Sequence, residues 1–273
     1  MGLRGRVSEP PRYSRAIEPV ARALGDRLGV QPRFIGSPHE AQRSSDWAAD
    51  LHAARGLLLE AGGQLEDALG AARAPILVGA DCAVAMGTLP VLARLRPDAR
   101  VLWLDAHGDY NTPETSPSSW LGGMGLAGAC AEWETRLPGA FPAERLVLCG
   151  VRALDDGERE TLARSQAVVI GPSLETLVYL QNALDGAPVF VHLDPDVLDP
   201  EFFPAEYPAP GGLTPERLYD LLDAVADACE VIGIEVCSVY GPAEDADGPD
   251  DHVDTLLEVL DPLLSPEETP DAD

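Results

Sequence analysis

The sequence predicts an α/β fold: a mostly parallel sheet covered by helices on both faces. Three observations carry that expectation. Apolar strand-like runs alternate with helical segments from residue 46 to residue 264. Runs such as Ile76-Leu77-Val78 and Val101-Leu102-Trp103-Leu104 are continuously apolar, which marks strands buried on both sides. The ionisable clusters follow directly after such runs, where open α/β sheets place their sites.

Residues 1–45 are rich in Pro and Arg and weakly patterned, with one short strand candidate at Arg33–Ile35. Asp46–Leu69 has helical spacing through Trp47, Leu51, Ala54 and Leu58. A strand at Pro75–Val78 leads into Gly79-Ala80-Asp81-Cys82, and a helix over Ala83–Leu95 is stopped by Pro97. After the central strand come a strand at Arg145–Val151, a helix over Asp155–Ser165, a strand at Val168–Ile170, a helix over Ser173–Leu184 and a strand at Pro188–Leu193. Thr214-Pro215-Glu216 opens a helix to Ala228 with a capping Thr and Pro at its first position. Val231–Val236 is the last strand, Asp254–Leu264 the last helix, and the tail from 266 to 273 is expected to fray. No linker or internal repeat divides the chain, so residues 1–273 read as one domain.

The formal net charge is −27, which disfavours nucleic acid and anionic membranes as partners. All 19 basic residues are Arg, so a Schiff-base lysine and a Walker-type phosphate loop are excluded. No apolar run approaches membrane-spanning length, and the N-terminus has no signal-peptide core. Five scattered cysteines form no C-x-x-C pair, and Cys149 and Cys237 read as core thiols. A reducing cytoplasm is the expected compartment.

The chemistry concentrates in two stretches. After Val101–Leu104 come Asp105, His107 and Asp109; after Phe190–Leu193 come Asp194 and Asp196, with Asp199 beyond. Alternate residues at a strand end share one face. Buried carboxylates are expensive unless paired or metal-bound. Oxygen-rich sites with an imidazole suit Mn or Mg better than Zn. Two such clusters at two strand ends suit a pair of divalent cations. Solvated acidic loops are the plainer alternative.

Five motifs carry a family resemblance: GADCA (79–83), DAHGDYNTP (105–113), HLDPDVLDP (192–200), PGGLTPERL (210–218) and IEVCS (234–238). Over roughly residues 75–265 they resemble, in order, those of the ureohydrolase family of arginases, agmatinases and formiminoglutamases. The resemblance implies a three-layer α/β/α sandwich with a binuclear manganese centre, whose bridging hydroxide attacks a guanidino carbon. It places Asp105, Asp109 and Asp194 around one manganese and adds His107 and Asp196 at the second, with Asp105 and Asp194 shared. It also gives Asp109 the proton transfer to the leaving group. Glu235 matches the acid that pairs with the guanidinium. Asn111 and Ser118 match the arginase residues holding the substrate α-carboxylate, and Asp155 the one holding the α-amino group. Their plainer reading is as turn and cap residues. An amino-acid substrate of the arginine type follows. The resemblance leaves a homo-oligomer open.

Two departures matter. The family's first metal-ligating His is Cys82 here. A thiolate is soft and Mn hard, so that metal site should be weaker or differently filled; Cys82 as a small buried filler is the equal alternative. The family's proton-shuttle His is Gly122. A general acid or base contributes about 10²–10⁴-fold, so ordinary guanidinium hydrolysis should suffer, and glycine should leave empty volume beside the substrate. A less basic, larger N-hydroxylated guanidine fits both changes. The leading expectation is hydrolysis of Nω-hydroxy-L-arginine to hydroxyurea and L-ornithine, an activity of the type that serves D-cycloserine biosynthesis. The alternatives are an arginase or other guanidino-acid hydrolase, and a non-catalytic relative that binds a ligand. His192 stands where the family often has a small residue, and is expected to be a satisfied neighbour of the metal ligands. The segment Glu201–Pro210 is one residue short against arginase, which alters the pocket rim. The acidic run Glu244–Asp251 reads as a solvated loop.

Overall fold

The computed structural model describes residues 2–3, 11–36, 46–239 and 251–264. Its strands are β1 (Gly2–Leu3), β2 (Phe34–Ile35), β3 (Ile76–Val78), β4 (Arg100–Leu104), β5 (Leu146–Cys149), β6 (Val168–Ile170), β7 (Val189–Leu193) and β8 (Val231–Val236). They form one sheet in the order β2-β1-β3-β8-β7-β4-β5-β6, with every registered pair parallel.

The apolar runs are continuous because successive residues feed opposite cores. Val101 and Trp103 point into one core, Leu102 and Leu104 into the other. Helices α2 (Trp47–Gly70), α3 (Ala85–Leu95), α4 (Gly125–Ala129) and α5 (Asp156–Arg164) contribute to the first core. Helices α1 (Pro11–Leu28), α6 (Thr176–Leu184), α7 (Pro215–Ala228) and α8 (Asp251–Leu264) contribute to the second. The expected three-layer α/β/α sandwich is the observed architecture.

Helix starts follow local chemistry. Asp46 caps α2 by accepting from Ala48 N and Ala49 N, and Thr214 caps α7 by accepting from Arg217 N. Two sequence expectations need correction. The weakly patterned N-terminal segment holds an 18-residue helix, α1, that was not expected there. Ile17, Val20, Ala21 and Leu24 recur at helical spacing and are buried; the Arg residues around them and Pro19 within the helix hide that stripe. The single helix expected from Ala83 is a 3₁₀ turn, Cys82–Val84, that leads into α3. Most of the acidic run from Glu244 and the whole tail from 266 to 273 lie outside the described residues. Among the described residues no helix is long and apolar enough to cross a membrane.

Candidate metal centre and substrate pocket

Four aspartates meet at the carboxyl ends of β4 and β7, adjacent strands near the middle of the sheet. Asp105 and Asp194 directly follow those strands, and the chain then turns so that backbone amides organise the carboxylates. His107 N donates to Asp105 Oδ1 at 2.6 Å, Ala106 N to Asp196 Oδ1 at 3.0 Å, and Asp196 N to Asp194 Oδ1 at 3.0 Å. Trp103 Nε1 donates to Asp105 Oδ2 at 3.2 Å. The alternating-face expectation fails beyond Asp105: residues 105–109 lie past the strand, and Asp109 takes φ +48°. The turn sorts the ligands into two groups. His107 Nδ1 lies 2.9 Å from Asp196 Oδ2 and 3.4 Å from Asp105 Oδ1. Asp109 instead joins Asp105 and Cys82.

The electrostatics are those of a site that wants cations. Burial, reinforced by Asp196, Asp109 and Asp194, pushes the Asp105 carboxyl well up. Burial and Asp196 do the same to Asp194, and burial lifts Asp109 to about 7. At His107 burial pulls the pKa down, but Asp105 and Asp196 outweigh it and raise it to about 12. One imidazolium cannot neutralise four aspartates. Asp105–His107–Asp196 and Cys82–Asp105–Asp109 each bring three donor atoms within 4.8 Å of one another, so the residues present fit two divalent ions. Asp199 is not part of this cluster: its carboxylate accepts from Glu201 N, Gly211 N and Gly212 N and ties down a surface loop.

A cavity of about 390 Å³ opens beside the cluster, lined at one end by His107 and Asp109 and elsewhere by Asn111, Ser118, Trp120, Asp155, Glu158 and Tyr207. Asn111 Nδ2 donates to Asp155 Oδ2 at 3.0 Å, and Ser118 Oγ accepts from Trp120 N at 3.2 Å. The three residues expected at the amino-acid end of a substrate therefore share one cavity with the cluster. A larger cleft of about 620 Å³ lies beside β3 between α1 and α2 and contains none of the cluster residues.

Two expected site residues stand differently. Glu235 is fully buried within β8 and does not line the cavity. Thr88 Oγ1 donates to its Oε2 at 2.8 Å, and His192 Nδ1 sits 2.9 Å from its Oε1, so both oxygens are engaged behind the cluster. As placed, Glu235 braces Thr88 and His192 behind the cluster. Nor does Gly122 leave a void. A Cβ on it would come within 2.5 Å of the Trp120 indole, so that ring occupies the space a side chain would need.

Three further residues that the sequence alone did not single out line the cavity. Glu158 lines the cavity, accepts from Tyr110 N and Asp155 N, and closes a capping box with Asp155; the D-x-x-E spacing was a readable signal. Trp120 packs against Tyr207 with centroids 5.1 Å apart, and Tyr207 comes from the shortened 201–210 segment. No local pattern marks either ring. His192 is the satisfied histidine expected, and its Nε2 lies 3.3 Å from Cys82 Sγ. Its ring stacks on Trp103 with centroids 3.4 Å apart.

Comparison with known proteins gives a consistent result. The sequence model of the Arginase family matches residues 33–253. The chain is 36% identical to an N(omega)-hydroxy-L-arginine amidinohydrolase of Streptomyces lavendulae, over 90% of this chain and 89% of that one. It is 35% identical to an arginase of Bacillus caldovelox, over 61% of each. Among solved structures, the Bacillus cereus arginase superposes with a TM-score of 0.81 at 24% identity, covering 98% of this chain and 96% of the other.

Proposed function

Because the chain belongs to the arginase family, and so is a hydrolase acting on amidines, we propose that its substrate is Nω-hydroxy-L-arginine, cleaved to hydroxyurea and L-ornithine. The observation that carries this reading is the Trp120 ring packed over Gly122, which leaves no imidazole where a guanidinium hydrolase of this family would keep its proton shuttle. N-hydroxylation lowers the basicity of the guanidine, so more of it is neutral near pH 7 and open to attack without that acid. The name of the Streptomyces lavendulae relative supports the same substrate. The Trp120 indole, not a larger guanidine, fills the space beside Gly122.

In this reading Asp105, His107, Asp109, Asp194 and Asp196 hold two divalent cations, with Cys82 at the edge of the Asp105–Asp109 side. We assign manganese, because carboxylate oxygens dominate the donor set. Bound together, such ions would supply a nucleophilic water at neutral pH by lowering its pKa from about 15.7 towards 7. The protein's own groups do the rest. Asn111, Ser118 and Asp155 bind and orient the amino-acid end. Asp109 would take a proton from the attacking water at its carboxylate and deliver it to the departing nitrogen. Trp120 and Tyr207 cover the guanidine end and exclude water. The five free cysteines support a reducing, cytoplasmic setting.

The test is a steady-state assay of the Mn-loaded protein on Nω-hydroxy-L-arginine and L-arginine side by side, following ornithine. A preference of at least tenfold for the hydroxylated substrate is expected. Equal rates, or a preference for L-arginine, would overturn the assignment.

A further inference from the structure

Cys82 faces two ways. Toward the cavity it joins Asp105 and Asp109; away from it, Cys82, His192 and Cys237 bring their ligand atoms within 4.8 Å of one another, all three buried. This second donor set is chemically unlike the first. Two sulphurs and an imidazole prefer Zn²⁺, Cd²⁺ and other thiophilic ions over Mn²⁺.

The surroundings have the form of a built site. His192 presents Nε2 to Cys82 Sγ at 3.3 Å, while Nδ1 faces Glu235 Oε1 at 2.9 Å. Thr88 donates to the other oxygen of that carboxylate. In the tautomer whose Nδ1–H donates to Glu235, Nε2 turns its lone pair toward the sulphurs. A carboxylate holding the far nitrogen of a histidine is the usual support for a metal-ligating imidazole. Stacking on Trp103 fixes the ring plane further. Gly79 makes room for the other sulphur: a Cβ there would come 2.9 Å from Cys237 Sγ. The carboxylates and His107 of the hydrolytic cluster are not part of this donor set.

We propose that Cys82, His192 and Cys237 form a separate site for one thiophilic divalent cation, of the Zn²⁺ or Cd²⁺ kind, directly behind the carboxylate cluster. On binding, each thiol gives up its proton to solvent, and the two thiolates balance the ion's charge. Three protein donors leave the fourth position of a tetrahedral ion unfilled by this set. Occupation draws Cys82 to the rear and leaves Asp105, His107 and Asp196 to hold their own ion.

The full-length Mn²⁺-loaded protein is titrated with CdCl₂ while the ultraviolet thiolate-to-cadmium charge-transfer band is followed. One saturating equivalent per chain is expected. Cys237→Ser should cut the band by about half, and His192→Gln should weaken Cd²⁺ binding by about tenfold or more. Absence of a saturable band in the unaltered protein would overturn the proposal. So would a band of equal height and affinity in both variants, since the ion would then sit on Cys130, Cys149 or Cys229. If Cys237→Ser fails to fold, the unaltered protein and His192→Gln still decide. The readout needs no turnover, so it fails or holds independently of the substrate assignment.

Discussion

Asp109 adopts φ +48°, a conformation that costs a non-glycine residue about 1–3 kcal/mol. In that conformation its carboxyl lies with Cys82 and Asp105. Burial raises Asp109 from 3.8 to about 7, and burial with neighbouring aspartates raises Asp105 and Asp194. A group whose pKa is raised by folding stabilises the fold fully below its unfolded value and loses that contribution as pH climbs through the folded value. The metal-free protein should therefore lose stability between pH 3.8 and about 7. Melting temperatures in EDTA should fall across that interval, and Mn²⁺ should flatten or reverse the slope; a rise in EDTA would contradict the reading. At Gly122 the expectation is steric. Gly122→His drives a side chain into the Trp120 indole and should destabilise by about 1–3 kcal/mol without restoring L-arginine turnover. Trp120→Ala in the same chain should recover most of that stability, as thermal melts would show. The residue types of the cluster were plain in the sequence, because D-x-H-x-D and D-x-D after apolar runs have few other uses. The indole over Gly122 was not, because that contact depends on how a loop folds back on itself.

Between elements, Arg152 is the main tie. Its guanidinium donates to the carbonyls of Gly150, Asp196, Val197, Leu198 and Ala209, joining the loop after β5 to the loop after β7. Hydrogen bonds from a charged donor are worth about 1.5–3 kcal/mol each when a partner is left buried. Arg152→Met should cost about 3 kcal/mol in urea unfolding and loosen Mn²⁺ binding, because the Asp196 backbone loses its anchor. Unchanged Mn²⁺ affinity would mean the strand ends alone hold the aspartates. At the start of α7, Thr214→Ala should cost about 1 kcal/mol by the same measurement, with no effect on metal. These elements were legible to differing degrees. β8 spans Val231–Val236, as its apolar run predicts, and Thr214-Pro215 marks the start of α7. α1 escaped because charge and an internal proline masked a narrow apolar stripe. The Glu235–His192 contact was not legible because its members come from different strands: register aligns His192 with both Trp103 and Glu235, and one strand read alone does not reveal its register.

For the molecule as a whole, charge is the dominant global term. A net charge of −27 repels itself in the compact state, so NaCl should raise the melting temperature of the Mn-loaded protein by screening. Differential scanning calorimetry from low to high salt checks this; a flat response would place the charges beyond one another's reach. The architecture itself was legible, since continuous apolar strands in steady alternation with helices leave few options besides a parallel sheet covered on both sides.

The row Trp103–His192–Glu235 crosses three adjacent strands in the middle of that sheet. It carries a consequence for ancestry. Loop-borne residues can drift singly, but these are interior rungs of a ladder. Losing His192 strands a buried carboxylate, and losing Glu235 frees an imidazole in a place without water. In this chain, therefore, neither His192 nor Glu235 can be replaced alone without leaving its buried partner short of a contact. A descendant could abandon its rear wall only by a concerted step, whereas its rim stays free to experiment.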